Sequence, residues 1–200
     1  MNASRLRLVR LVAAAAVCLS AANAWAVVTW DETVDGDLSD DRLAPSVASL
    51  VSGTNSLSAT SVSGDREYVT LSLASGLKLT NILLASYVGD DETGFIGVQR
   101  GTTLTEPPTG TDVANILGYS HFGTAVNTIG DDLLPAIGTG AGAIGFTPPL
   151  TGSNYTFWIQ QTGSSPATYQ LDFIVAPEPG SIVLLSLGGL VALLAARRRR

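Results

Sequence analysis

The chain has 200 residues, enough for one domain, and a formal net charge of −6. Between residues 27 and 176 sixteen acidic residues face only Arg42, Arg66, Lys78 and Arg100, a net charge of −12, which excludes binding of nucleic acid or anionic lipid through a basic patch. One cysteine, Cys18, and one histidine, His121, exclude a disulfide scaffold and most zinc sites, which need several such ligands.

The N-terminus carries Arg5, Arg7 and Arg10, then an apolar stretch over residues 11–22 that is shorter than the ~20 residues a membrane span needs. Ala24-Trp25-Ala26 places small residues at both specificity positions of a cleavage site. Residues 1–26 therefore read as a secretory signal peptide, cut by signal peptidase after Ala26. Cys18 lies inside it, and Val17 before it suits lipidation poorly.

Residues 27–176 are expected to form an exported β domain. Asp35-Gly36-Asp37-Leu38-Ser39-Asp40-Asp41 clusters carboxylates in a glycine turn. Asp35, Asp37, Asp40 and Asp41 are the candidate calcium ligands, because calcium takes oxygen donors. The plainer reading is that Asp and Gly favour turns. The cluster departs from an EF-hand loop, whose twelfth position is a glutamate; here it is Ser46. No other cofactor is indicated.

Hydrophobic periodicity is mostly two. Residues 46–62, rich in Ser, Thr and Val, hold two short strands around Ser52-Gly53-Thr54-Asn55. In residues 66–73, Val69, Leu71 and Leu73 share one face while Tyr68, Thr70 and Ser72 share the other, the pattern of a strand. Residues 77–88 and 94–99 form two more strands around an acidic turn at Asp90-Asp91-Glu92. Residues 111–117 hold a short helix with Asp112 in its first turn. Residues 138–145 alternate glycine with small residues and form a loop. Gly138-Thr139-Gly140-Ala141-Gly142 lacks the Gly-Lys-Ser/Thr ending of a phosphate loop. Residues 154–161 and 168–175 form a final strand pair, joined as a hairpin through residues 162–166. The fold class expected is all-β, an antiparallel β-sandwich or jelly roll.

No catalytic constellation emerges. Ser120 directly precedes His121, adjacent residues on any strand point to opposite faces, and an isolated histidine reads as a loop or surface residue. A triad would need Asp131 or Asp132 and a second serine, and no G-x-S-x-G elbow is present. A non-enzymatic binding or structural role is the expectation. Trp30, Tyr119, Tyr155 and Trp158 are candidates for stacking on sugar rings, or else core residues.

The C-terminus reads Pro177-Glu178-Pro179-Gly180, an uncharged apolar stretch over residues 181–196, and Arg197, Arg198, Arg199 and Arg200. Terminal arginines resist translocation, so residues 181–196 are expected to be a transmembrane helix with residues 197–200 on the cytoplasmic side. Residues 177–200 resemble the PEP-CTERM sorting signal, with its Pro-Glu-Pro motif, short span and basic end. The resemblance implies an exosortase as partner, cutting near Pro177, Glu178 and Pro179, with the inner membrane only a transient anchor. It further implies residence at the cell surface or in the matrix, and a role in biofilm or exopolysaccharide organisation.

A second resemblance is shorter. Gly64-Asp65-Arg66-Glu67-Tyr68-Val69-Thr70-Leu71 followed by Ala74-Ser75-Gly76-Leu77 looks like the core of bacterial pre-peptidase C-terminal domains. There an acidic residue and an aromatic open a strand that ends in a small-Gly-apolar turn. This implies a jelly-roll sandwich, and as alternative function an accessory or carbohydrate-binding module associated with secreted hydrolases.

Overall fold

A computed structural model describes residues 26–62, 64–178 and 180. The expected signal peptide up to residue 25 (Ala24 included), Pro179, the apolar span at 181–196 and Arg197 to Arg200 lie outside the described residues. Among the described residues no helix is long and apolar enough to cross a membrane.

The fold is all-β. Its strands are β1 (Val27–Asp31), β2 (Ser46–Leu50), β3 (Gly53–Ser61), β4 (Arg66–Gly89), β5 (Thr93–Arg100), β6 (Gly118–Gly123), β7 (Leu150–Gln161) and β8 (Ala167–Pro177). The helical elements between the strands are α1 (Glu32–Asp35), α2 (Leu133–Gly138) and a 3-10 turn, Val113–Asn115, capped by Asp112. The strands run in the order β1-β3-β8-β4-β7-β5-β6, with β2 joining β4 off this path.

β4 is the pivot of the sheet. From Arg66 to Leu73 it lies between β2 and β7; from Leu77 to Gly89 it pairs with β8. The two halves of the sheet face one another. Phe157 of β7 meets Phe173 of β8 edge-on at 5.4 Å between ring centroids. Phe122 of β6 likewise meets Tyr169 of β8 and Tyr87 of β4, each at 5.8 Å. Yet the backbone neighbours of β8 are β3 and β4. One core therefore fills the space between the halves, with Leu57, Val69, Leu71, Leu84, Ile96, Val98, Phe157 and Leu171 all buried in it.

Four expectations from the sequence need correction. The sheet is not purely antiparallel, because β1–β3 and β2–β4 pair in parallel. Residues 66–73 and 77–88 are not separate strands around a turn at Ala74-Ser75-Gly76; they are one strand of 24 residues. Lys78 is paired on both sides, with Thr151 and Ala176, and Glu178 N–H donates to the Gly76 carbonyl at 2.7 Å. These partners keep the chain extended through a bend where Gly76 takes a φ of +81°. Residues 162–166 do not close a hairpin, since β7 pairs with β4 and β5 while β8 pairs with β3 and β4. The loop instead carries the chain from one half of the sheet to the other. Finally β1, β6, α1 and α2 were not anticipated.

Within β4 two register shifts, at Leu79/Asn81 and Leu84/Ser86, change which side chains face the core. Leu79, Ile82, Leu84 and Tyr87 are buried although they do not keep one parity. Asp132 then ties α2 to this strand. Its Oδ1 accepts from Ile82 N at 2.9 Å and from Leu134 N at 3.1 Å, and its Oδ2 accepts from Asn81 Nδ2 at 2.7 Å. The carboxylate is at once helix cap and strand staple.

Candidate functional site

Three carboxylates meet beside the start of β4. The first two are placed by a tight reversal after β1. Asp31 caps the single turn of α1, its Oδ1 accepting from Thr33 N at 3.0 Å and Thr33 Oγ1 at 2.6 Å. Gly36 ends that turn at a φ of +87°, in the left-handed region that a side chain resists. Its N–H donates to Glu32 O at 3.2 Å and its carbonyl accepts the Trp30 indole N–H at 3.0 Å. Leu38 is buried in the core and anchors the returning chain. Ser39 then bridges to Tyr68, whose N–H donates to the Ser39 carbonyl at 2.9 Å. The segment is thereby fastened to β4, and one carboxylate oxygen from each of Glu32, Asp37 and Glu67 lies within 4.8 Å of the others.

Glu67 is the unusual member. It shares the core-facing parity of Val69, Leu71 and Leu73 and is 0 % exposed. Among the described residues neither carboxylate oxygen has a hydrogen-bond partner. Buried polar groups are nearly always paired, so two bare oxygens on one side chain call for an explanation. Burial first, then the charges of Asp65, Glu32 and Asp37, push its pKa up to about 10. The Asp65 carboxylate is near enough for a neutral Glu67 to turn its proton toward it, an approach that raises Glu67 and partly offsets the burial that raises Asp65.

The surroundings repeat the theme. Glu32 is raised chiefly by burial, against the Thr60 N–H that it accepts at 2.6 Å through Oε2. Among the described residues its Oε1, which is buried, has no partner, and neither has the buried Tyr169 hydroxyl. Desolvation raises that phenol well above its ordinary value, and next come the charges of Glu67, Glu32, Asp65 and Asp37. Four carboxyls and a phenol thus crowd one place.

Of the four expected calcium ligands, only Asp37 reaches this cluster. Asp35 turns to α1 and accepts from Asp31 N at 2.9 Å. Asp41 accepts from Leu43 N at 2.8 Å, closing its own turn. Asp40 approaches Arg66 N at 3.4 Å. Glu32 and Glu67 were missed. The signal for Glu67 was its parity: an acid on the Val69–Leu71–Leu73 face is an acid in the core.

The other sequence candidates stay apart. His121 is exposed on β6, its ring edge-on to Phe95 at 5.7 Å. Ser120 Oγ donates to the His121 carbonyl and accepts from Asn127 Nδ2 at 3.1 Å, away from any imidazole nitrogen. Asp131 accepts from Thr128 N at 2.7 Å and Asp132 caps α2, so neither serves a triad.

Tyr155 and Trp158 are buried. Trp158 packs with Tyr68 and Leu104 beneath the Gly101–Thr105 segment, which Thr156 Oγ1 holds by donating to the Gly101 carbonyl at 3.0 Å. Trp30 packs against the core. Tyr119 is half-buried and stacks on half-buried Phe95 at 6.0 Å between centroids.

At the C-terminal end Pro177 closes β8 opposite Leu77, and Ala26 at the N-terminal end is exposed just before β1. Compared with protein-family models, curated proteins and solved structures, the chain matches none.

Proposed function

We propose that this chain is an exported, exosortase-sorted protein of the cell surface or extracellular matrix, whose β domain acts by binding or as structure rather than by catalysis. One observation carries the reading. Among the described residues the strands run from Val27, just after the signal-peptide-like segment, to Pro177, the first residue of the PEP-CTERM-like one. The strongly acidic, base-poor composition of that stretch suits a solvated surface protein. A role in biofilm or exopolysaccharide organisation follows from the resemblance of the tail. The two facing half-sheets support reading the domain as a β-sandwich.

Fractionation of tagged protein, with and without the host exosortase, tests this reading. With the enzyme, the product loses its tail and appears at the surface or in the medium. Without it, full-length protein collects in the inner membrane. Identical size and location in both strains would contradict the proposal.

A second reading is a carbohydrate-binding or accessory module. The Phe95–Tyr119 stack beside exposed His121 favours it, since a partly open aromatic pair offers an apolar face for a sugar ring. Binding on a glycan array that is lost in Tyr119→Ala, with unchanged thermal unfolding, is the expected result. An array without hits removes this reading.

A further inference from the structure

We propose that Glu32, Asp37 and Glu67 form a binding site for a calcium-sized divalent cation, with Asp65 as the adjacent fourth carboxylate. A group of acids alone would not justify this. The independent observation is the state of the buried polar atoms around it. Glu67 is 0 % exposed and, among the described residues, neither of its oxygens has a donor, while Glu32 Oε1 and the Tyr169 hydroxyl are buried and unpartnered there as well. Each of the two glutamates therefore brings at least one oxygen with nothing to satisfy it.

The donor chemistry sets the class of ion. The donor set is all oxygen, which suits hard cations and not zinc or copper. One oxygen from each of the three residues lies within 4.8 Å of the other two. Two oxygens bound to one calcium ion stand no more than about 4.8 Å apart, twice its metal–oxygen distance of about 2.4 Å, so the three can share one ion. The closest charges around Glu67 are the acids Asp65, Glu32 and Asp37, so a cation relieves their mutual repulsion as well as the unpaired oxygens. Asp37 is the exposed member and gives the site its opening to solvent.

The site also has a structural consequence. Glu32 and Asp37 belong to the segment between β1 and β2, and Glu67 to β4. β1 is an edge strand whose neighbour is β3. A bound cation would clamp this edge onto the pivot strand, making the N-terminal segment resistant to proteolysis only when the ion is present.

The competing account is a proton: Glu67 stays neutral, donates to Asp65, and no ion enters. The two accounts are separable in the full-length protein after treatment with EDTA. Calorimetric titration with calcium chloride at neutral pH should give saturable binding. At a hundredfold excess over Kd the melting temperature should rise by about 5–10 °C. Terbium should bind with luminescence sensitised by the neighbouring Tyr169 and Trp30.

Asp37→Asn, at an exposed position, should weaken calcium binding roughly 100-fold or more. Glu67→Gln should abolish it, and Asp90→Asn, in the exposed turn just past the far end of β4, should leave it unchanged. Magnesium, which prefers shorter bonds and retains its waters, should bind more weakly. The proposal is overturned by absence of calcium binding in the millimolar range. It is equally overturned by calcium binding that survives both Asp37→Asn and Glu67→Gln.

Discussion

In EDTA, Glu67→Gln is expected to be more stable than the wild-type protein above neutral pH, reversing the usual outcome of altering a buried residue. Glu67 has a folded pKa of about 10 against the ordinary 4.5. Between those values the folded chain holds a proton that the unfolded chain releases. Stability is therefore fully present below pH 4.5 and falls as pH rises, by about 1.4 kcal/mol per unit for this one proton. From pH 5 to pH 8 the stability of the wild-type protein therefore falls throughout.

The groups that face Glu67 reinforce the sign. Glu32 of α1 and Asp65 before β4 are themselves raised by burial, Asp37 adds charge, and the Tyr169 phenol of β8 is raised further by the same acids. A glutamine carries no titrating proton, and its amide brings two N–H donors into a place full of acceptors. Urea unfolding of both proteins across pH 5 to 8 in EDTA checks this. A wild-type stability that stays level, or a Gln variant that remains weaker at pH 8, would show that Glu67 does not titrate as the site requires.

Phe157→Ala should cost about 3–5 kcal/mol, the range for an aromatic side chain removed from a core. Phe157 is 0 % exposed and its ring contacts Phe173 across the space between the two halves of the sheet. The cavity would open where β7 and β8, joined by no backbone hydrogen bonds, depend on side chains alone. The expected signature is a lower urea midpoint with an unchanged m-value. Val88→Ala, at a position 71 % exposed, should shift the midpoint little and serves as the control. A loss under 1 kcal/mol at Phe157 would mean that the facing halves do not share a core.

Local alternation made much of this fold legible. Val69, Leu71 and Leu73 do line the core, and Tyr169, Leu171, Phe173 and Val175 do point inward together. Pairing was less legible because it is non-local. The short loop at residues 162–166 has hairpin chemistry, but β7 and β8 each bond to other strands. Gly76 carries the turn signal expected of it, yet flanking partners hold the strand through the bend. β6 was hidden because Tyr119 and His121 on its outer face are partly or fully exposed, leaving Phe122 as its main core contact.

The site was half visible. The Asp35–Asp41 turn drew attention to calcium chemistry, and Asp37 is indeed in the cluster. α1 has four residues, too few for any 3.6-residue period to single out Glu32. Glu67 was seen as the acidic opener of a strand, while its own parity marked it as buried. What joins them is the reversal at Gly36 and the bridge from Ser39 to Tyr68, contacts between segments that no local pattern encodes.

The most direct measurement is the ¹³C chemical shift of the Glu67 side-chain carboxyl at pH 7, recorded on the full-length protein in EDTA and again in excess calcium. The expected shift is that of a protonated carboxyl in EDTA and of an ionised one with calcium, because the ion displaces the proton. A Glu67 carboxyl whose shift is the same under both conditions would contradict it.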